Sequence, residues 1–179
     1  MQSFGEEPRG WLGASGLVPK DLEEAWSSVA DMALQGVRTR FAQAGSFRSI
    51  RLHGDCHVGN ILWTDAGPHF VDLDDARMGP AVQDLWMLLP ADRSDAEKSL
   101  KALLDGYDQF HEFERAEFAL IEALRTLRLL HYSAWIARRW DDPAFPAAFP
   151  WFGTQRYWQD RILELREQIA AMQEPPLAC

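Results

Sequence analysis

The chain has 179 residues, 47% of them hydrophobic, which predicts one folded core and excludes an intrinsically disordered protein. The net charge of −9 argues against a nucleic-acid partner, because phosphates are bound by clustered lysine and arginine. No apolar run reaches the ~18 residues that a membrane helix needs, and the two cysteines form no disulfide framework. Together these features predict a cytoplasmic protein without a membrane partner.

The first twenty residues carry four glycines and two prolines without a period, which predicts a lead-in loop over 1–20. Asp21 is then predicted to cap a helix over 21–44, with Glu24 as its reciprocal partner. One apolar stripe recurs at every third or fourth position of this helix, formed by Leu22, Trp26, Val29, Ala33, Val37 and Phe41.

Three short strands follow, with the sequences SIRL (49–52), NILW (60–63) and HFVDL (69–73). The segment TDAGP between the last two is a strong turn signal. The polar segment HGDCHVG joins the first two. The acidic residues of this region are therefore expected on loops between strands, where side chains can converge.

Beyond Pro80 the pattern predicts helices to the end of the chain. PAVQDLWMLL opens with proline at a first helical position, and Ser94 with Glu97 forms a capping box. Longer helices are predicted over 114–139 and 154–172. The predicted fold class is therefore α+β, mostly α, with three short strands and five or six helices.

The central motif is H-x-D-x4-N, formed by His53, Asp55 and Asn60, with Asp72 seventeen residues after Asp55. Crowded carboxylates repel, so such a cluster usually shares a cation or a proton. Amide and carboxylate oxygens are the side-chain ligands that Mg²⁺ prefers, together with water and phosphate.

This set resembles the catalytic core of the aminoglycoside phosphotransferase and choline kinase superfamily, whose members are related to protein kinases. The resemblance extends over at least residues 50–176 to the bacterial stress response kinase A (RdoA-type) group, a Ser/Thr protein kinase branch. Four stretches carry it: LHGDCHVGNILW, FVDLDDARMGPAVQDLWMLL, RRWDDPAFPAAFPWF and QEPPL. It implies a kinase-like C-terminal lobe that uses ATP and Mg²⁺.

The resemblance also implies a role for each motif residue. Asp55 would be the catalytic base that positions the substrate hydroxyl, and Asn60 and Asp72 would hold Mg²⁺. His53 would brace the catalytic loop. Asp84 would fix the same loop by hydrogen bonds to its backbone.

Three further residues are secondary candidates. Asp74 and Asp75 either contact a second metal ion or cap the following turn, and Arg77 is the nearest cation that could neutralise them. His57 and the adjacent Cys56 are residue types that commonly bind zinc, which raises the alternative of a zinc site. Structural zinc needs four ligands, however, and the other histidines lie in other predicted elements, so we favour magnesium.

The sequence departs from a complete kinase in one respect. It shows neither a glycine-rich strand pair nor a strand lysine that grips phosphates, since Lys20 precedes a helix and Lys98 and Lys101 lie on one. We therefore expect a catalytic lobe over 21–176 without the N-terminal nucleotide clamp. Weak or undetectable ATP turnover is expected for this chain alone, and an apolar face left exposed on helix 21–44 predicts dimers.

Four functions remain open on these grounds. The first is a protein Ser/Thr kinase, and the second is a small-molecule kinase acting on an aminoglycoside, choline or sugar-like hydroxyl. The third is a non-catalytic binding module. The fourth is a His/Asp metallohydrolase, which would require zinc.

Overall fold

The structure, a computed structural model, describes residues 1–178 and confirms a mostly helical α+β fold. The strands are β1 Ile50–Leu52, β2 Ile61–Thr64, β3 Gly67–Phe70 and β4 Arg77–Gly79. The α-helices are α1 Glu7–Ala14, α2 Glu23–Ala44, α3 Val82–Trp86, α4 Arg93–Tyr107, α5 Ile121–Ala137, α6 Ala144–Ala148 and α7 Gln155–Ala171. A π-helical segment, Gln2–Glu6, and two 3₁₀-helices, Val58–Asn60 and Arg115–Leu120, complete the secondary structure.

The chain forms two compact units. The first unit combines Met1–Phe41 with Glu122–Glu174, and the second combines Ala42–Ile121 with the residues from Pro175 onward. Each unit combines two segments that are separated in sequence. The boundaries expected from the sequence, 1–20 and 21–176, stay predictions.

The predicted loop over residues 1–20 is wrong for its first part, since residues 2–14 are helical. Pro8 stands in the first turn of α1, directly after the π-helical segment, and is buried. Leu12 is fully buried. A Cβ on Gly5 would lie 2.7 Å from the side chains of Leu34 and Leu127. Gly5 therefore reflects close packing rather than an irregular loop.

The first unit is built around buried aromatic and aliphatic side chains. Trp26 on α2 meets Trp158 on α7 edge to face, with 6.1 Å between ring centroids. Most of the predicted apolar stripe of α2 is buried here, and Met32 is the large apolar side chain that this helix exposes. The stripe is therefore part of the core of this unit, and the dimer expected from the sequence stays a prediction.

The second unit contains both pairs of strands. β1 pairs with β4 in antiparallel register, Ile50 opposite Gly79 and Leu52 opposite Arg77. β2 and β3 form a hairpin with Ile61 opposite Phe70. The sequence did not predict β4, a three-residue strand defined by its pairing with β1. The third predicted strand also ends earlier than expected, at Phe70.

Two predicted helix boundaries differ in the structure. α4 begins two residues earlier than predicted, because Asp92 rather than Ser94 is its N-cap and accepts a 3.0 Å hydrogen bond from the Asp95 N–H. The predicted helix over 114–139 is divided into the 3₁₀-helix Arg115–Leu120 and α5. None of the helices in residues 1–178 has the length and apolar character to cross a bilayer.

Candidate active site

The loop between β1 and β2 carries the H-x-D-x4-N motif and is held by Asp84. One Asp84 oxygen accepts a hydrogen bond from the His53 N–H at 2.7 Å, and the other accepts from the Gly54 N–H at 2.8 Å. A carboxylate that accepts two backbone N–H groups makes charge-assisted bonds of fixed geometry. The first turn of the loop is therefore tied to α3.

Gly54 is held at its carbonyl as well as at its N–H. The Gly54 carbonyl accepts from Arg77 at 3.3 Å and from Gln83 at 3.1 Å. Gly54 has a φ of +89°, and a Cβ here would lie 2.1 Å from the Asp75 carbonyl oxygen. Only glycine fits this turn without displacing the backbone. Sequence reasoning missed Gly54 and Gln83, although an irregular loop favours glycine at such a turn.

Asp55 and Asn60 are brought together within the loop. The Asn60 side-chain N–H donates to the Asp55 carbonyl at 3.0 Å, and the His57 N–H donates to the same oxygen at 2.9 Å. Asn60 is buried, and because its amide nitrogen is engaged, the oxygen Oδ1 is the atom that remains for a metal ion. The Asp55 carboxylate is partly exposed, with Oδ2 3.5 Å from His57 Nε2.

Val71 joins this loop to the strand that precedes Asp72. The Val71 N–H donates to the Asn60 carbonyl at 3.0 Å, and the Val71 carbonyl is 2.8 Å from His53 Nε2. His53 and Asn60 are thus both bound to one residue, and Asp72 follows it directly. No side-chain signal identifies Val71, since these bonds use its backbone.

Asp72 is exposed and adopts a left-handed φ of +62°. Aspartate is one of the few residues other than glycine that enter this region with some frequency. A residue in this conformation cannot continue a strand, which explains why β3 stops short of the predicted end.

The donors present fit magnesium better than zinc. In residues 1–178 no three His, Cys, Asp or Glu side chains are gathered so that they could hold a metal ion. An Asn60 oxygen and an Asp72 carboxylate, placed next to Val71, would leave the remaining positions to water and phosphate, as Mg²⁺ prefers. A closed zinc site needs four protein ligands, and His57 is not part of such a group within residues 1–178.

The secondary candidates have local partners. His57 Nδ1 accepts from the Gly59 N–H at 3.0 Å and caps the 3₁₀-helix Val58–Asn60. Asp75 lies 3.3 Å from Arg77, and Asp74 is exposed in the same turn. Arg77 therefore neutralises part of the acidic run, as the sequence suggested.

Cys56 lies inside the motif but is not poised to react. Burial, together with the charges of Asp84 and Asp55, raises the pKa of its thiol to about 11. A nucleophile or metal ligand has to be a thiolate. Cys56 is therefore a packing residue at neutral pH.

Comparison with known proteins finds relatives that are named as kinases. The chain is similar to "Stress response kinase A" of Escherichia coli (strain K12), with 48% identity over 171 residues, and of Shigella flexneri, with 47% identity over 171 residues. It is also similar to "Serine/threonine protein kinase RdoA" of Salmonella typhimurium, with 47% identity over 175 residues.

Each of these alignments covers 96% of this chain and 51% of the relative, so the chain spans about half the length of the proteins that it matches. The sequence profile described as "Phosphotransferase enzyme family" matches residues 6–121, which include every residue of the candidate site from His53 to Asp84. The chain therefore belongs to the phosphotransferase enzyme family.

Proposed function

We propose that this chain carries the catalytic centre of an ATP- and Mg²⁺-dependent kinase that phosphorylates a hydroxyl group. The observation that carries the proposal is the restraint of Asp55. The preceding residue, Gly54, is bound at its N–H by Asp84 and at its carbonyl by Arg77 and Gln83. The Asp55 carbonyl itself is bound by Asn60. A catalytic base needs such restraint, since a displacement of about 1 Å can lower a rate about 100-fold.

The roles follow from the donor chemistry. Asp55 accepts a hydrogen bond from the acceptor hydroxyl and orients its oxygen toward the terminal phosphate. Asn60 and Asp72 would hold Mg²⁺, which when bound neutralises charge on the phosphate oxygens. His53, bound to Val71, and Asp84 keep the loop in place.

The acceptor that we favour is a Ser or Thr side chain of a protein. This choice rests on the printed name of one relative, "Serine/threonine protein kinase RdoA". A small-molecule hydroxyl is the alternative within the same family. Incubation with radiolabelled ATP separates them, because label in protein bands supports the first acceptor and label in a small-molecule panel supports the second.

The central test is the Asp55→Asn variant, made in a protein of the relatives' length that contains this sequence. We expect turnover to fall by at least about 100-fold because the acceptor hydroxyl loses its base. We expect the unfolding free energy to change by less than about 1 kcal/mol, since the Asp55 side chain is partly exposed.

The matched control is Asp65→Asn, the same change at an exposed position in the turn between β2 and β3. It should leave turnover unchanged. An Asp55→Asn protein with near-normal turnover would overturn the role assigned to Asp55.

For the 179-residue chain alone we expect weak ATP binding. All three lysines lie outside the strands, Lys98 and Lys101 on α4 and Lys20 in the turn before α2. The phosphate-gripping lysine of protein kinases lies on a strand. Titration calorimetry with ATP and Mg²⁺ measures this directly, and a micromolar Kd would show the expectation to be wrong.

A further inference from the structure

Glu117 is a buried carboxylate that has no role in the proposed phosphoryl transfer. It lies in the 3₁₀-helix Arg115–Leu120 and is 2% exposed, between buried neighbours that include Phe118 and Leu120. Glutamate is seldom buried to this degree unless it is paired or hydrogen-bonded. Its contacts therefore indicate why a carboxylate stands here.

Those contacts are at the beginning of α3. The Glu117 Oε2 atom accepts a hydrogen bond from the Val82 N–H at 2.8 Å, and the Ala81 backbone also donates to this carboxylate. The N-cap of α3 is Ala81, which offers no side-chain cap. Glu117, thirty-five residues away in the sequence, supplies the acceptor that the helix itself lacks.

α3 depends on such an anchor because it is short. It has five residues, and isolated helices below ~12 residues are marginal in water. Val82 starts the helix, and Asp84, two residues later, binds the His53 and Gly54 amides. A shift or fraying of the first turn would therefore move the Asp84 oxygens away from the loop.

We propose that Glu117 is a positioning residue, which anchors the first turn of α3 so that Asp84 holds the loop bearing Asp55. This role rests on the proposed function for its catalytic meaning, but the anchoring itself is a property of the fold. The connection runs from Glu117 to Val82, from α3 to Asp84, and from Asp84 to His53 and Gly54.

The electrostatics agree with an anchor rather than a packing residue. Burial raises the pKa of Glu117, and the backbone bonds from Val82 and Ala81 oppose that rise. Among the neighbouring charges, Glu114 raises this pKa and Arg48 lowers it. An apolar side chain would fill the space without the desolvation penalty, so the carboxylate is retained for its bonds.

The test is amide hydrogen exchange on the purified 179-residue chain, without nucleotide, in wild type and in Glu117→Met and Glu117→Gln variants. Methionine matches the length of glutamate but accepts no strong hydrogen bond, whereas glutamine keeps a carbonyl oxygen. Glu112→Met, at an exposed position nearby, is the control for added apolar surface.

We expect Glu117→Met to accelerate exchange at His53 and Gly54 by about tenfold or more, while amides of α7 change by less than about twofold. Glu117→Gln should stay within about threefold of wild type, and Glu112→Met should change nothing. Because no nucleotide is present, these outcomes are independent of whether the chain turns over ATP. Failure of the kinase proposal would instead appear in the Asp55→Asn experiment.

Three outcomes overturn the inference. The first is exchange at His53 and Gly54 within about twofold of wild type in Glu117→Met. The second is equal acceleration in α7, which would indicate general unfolding. The third is a Glu117→Gln variant as fast as Glu117→Met. If Glu117→Met does not fold, Glu117→Asp, which withdraws the carboxylate by one methylene, should show the same acceleration to a smaller degree, and unchanged exchange there also overturns the inference.

Discussion

The two units differ in what holds each of them together. The first is a set of helices around contiguous apolar side chains, in which Trp26 and Trp158 are almost completely buried. The second has short strands and a polar loop held by side chains that bind backbone groups, such as Asp84 on His53 and Glu117 on Val82. Apolar contact is proportional to area and tolerates small adjustments, whereas these hydrogen bonds require fixed geometry.

This contrast indicates where stability and chemistry reside. Substitutions in the first unit should mainly change the free energy of unfolding. Substitutions around the loop should change the geometry of Asp55 and should lower the free energy of unfolding less than the loss of a large core side chain does. The following predictions test that division, beginning with the largest expected effect.

Truncation of Trp158 should be the most destabilising change. Trp158 is fully buried and contacts Phe152 and Trp26 at centroid distances of 5.5 and 6.1 Å. We expect Trp158→Ala to lower the unfolding free energy by about 3–5 kcal/mol, because a large cavity remains. Urea denaturation followed by circular dichroism measures the loss.

The matched control lies in the second unit. Trp63 on β2 is 76% exposed, so Trp63→Ala should change the unfolding free energy by less than about 0.5 kcal/mol. Similar losses in the two variants would contradict the contrast between the units.

Gly54→Ala should have the next largest effect and should act on the loop. The added Cβ would lie 2.1 Å from the Asp75 carbonyl oxygen in addition to the strain of a positive φ. We expect the free energy of unfolding to fall by about 2 kcal/mol or more and the His53 amide to exchange faster.

Gly67→Ala separates the two causes. Gly67 also has a positive φ, of +106°, but a Cβ there meets nothing within 4 Å. Gly67→Ala should lower the free energy of unfolding by about 1 kcal/mol, because only backbone strain is added. If Gly67→Ala were as harmful as Gly54→Ala, close approach to Asp75 would not be the reason for glycine at position 54.

The smallest predicted effect is a pH dependence from Glu117. Burial raises the pKa of Glu117 above its ordinary value of 4.5, so the folded chain keeps this proton to a higher pH than the unfolded chain. The part of the stability that is linked to the titration of Glu117 is therefore fully present below pH 4.5 and is lost as the pH rises through the raised pKa.

Glutamine has no titratable side chain, so Glu117→Gln should remove this loss of stability with rising pH. The unfolding free energy of the variant minus that of wild type should rise between pH 4 and neutrality and then level off, as measured by urea denaturation at several pH values. Glu112→Gln, at an exposed position, is the control. If the difference in unfolding free energy does not vary with pH, burial does not raise the pKa of Glu117.

The helices could be predicted from sequence because their signals are local. The stripe from Trp26 to Val37 recurs with helical spacing, and α2 and α7 begin and end close to the predicted residues. Thr154, at the predicted start of the last helix, is its N-cap. The α+β fold class was predicted for the same reason. At α4 two residues with a high N-cap preference, Asp92 and Ser94, lie two positions apart, and local preference alone does not decide which of them caps the helix.

The candidate site was predicted only as a set of side chains. The spacing of His53, Asp55, Asn60 and Asp72 is visible in the sequence, and the family resemblance pointed to Asp84. The sequence does not show that Gln83 binds the Gly54 carbonyl or that Val71 joins His53 to Asn60. Because every residue other than proline has both a backbone N–H and a carbonyl, the residue types do not indicate which backbone groups take part in these hydrogen bonds.

The sequence by itself therefore determined the mostly helical composition, the position of the polar loop between short strands, and membership of a phosphotransferase family. Tertiary structure alone decided the π-helical segment and helix over residues 2–14, the pairing of β4 with β1, and the anchoring of α3 by Glu117. Periodicity reports which side of an element is buried. Periodicity does not report which distant residues that side contacts, because those contacts depend on the tertiary fold.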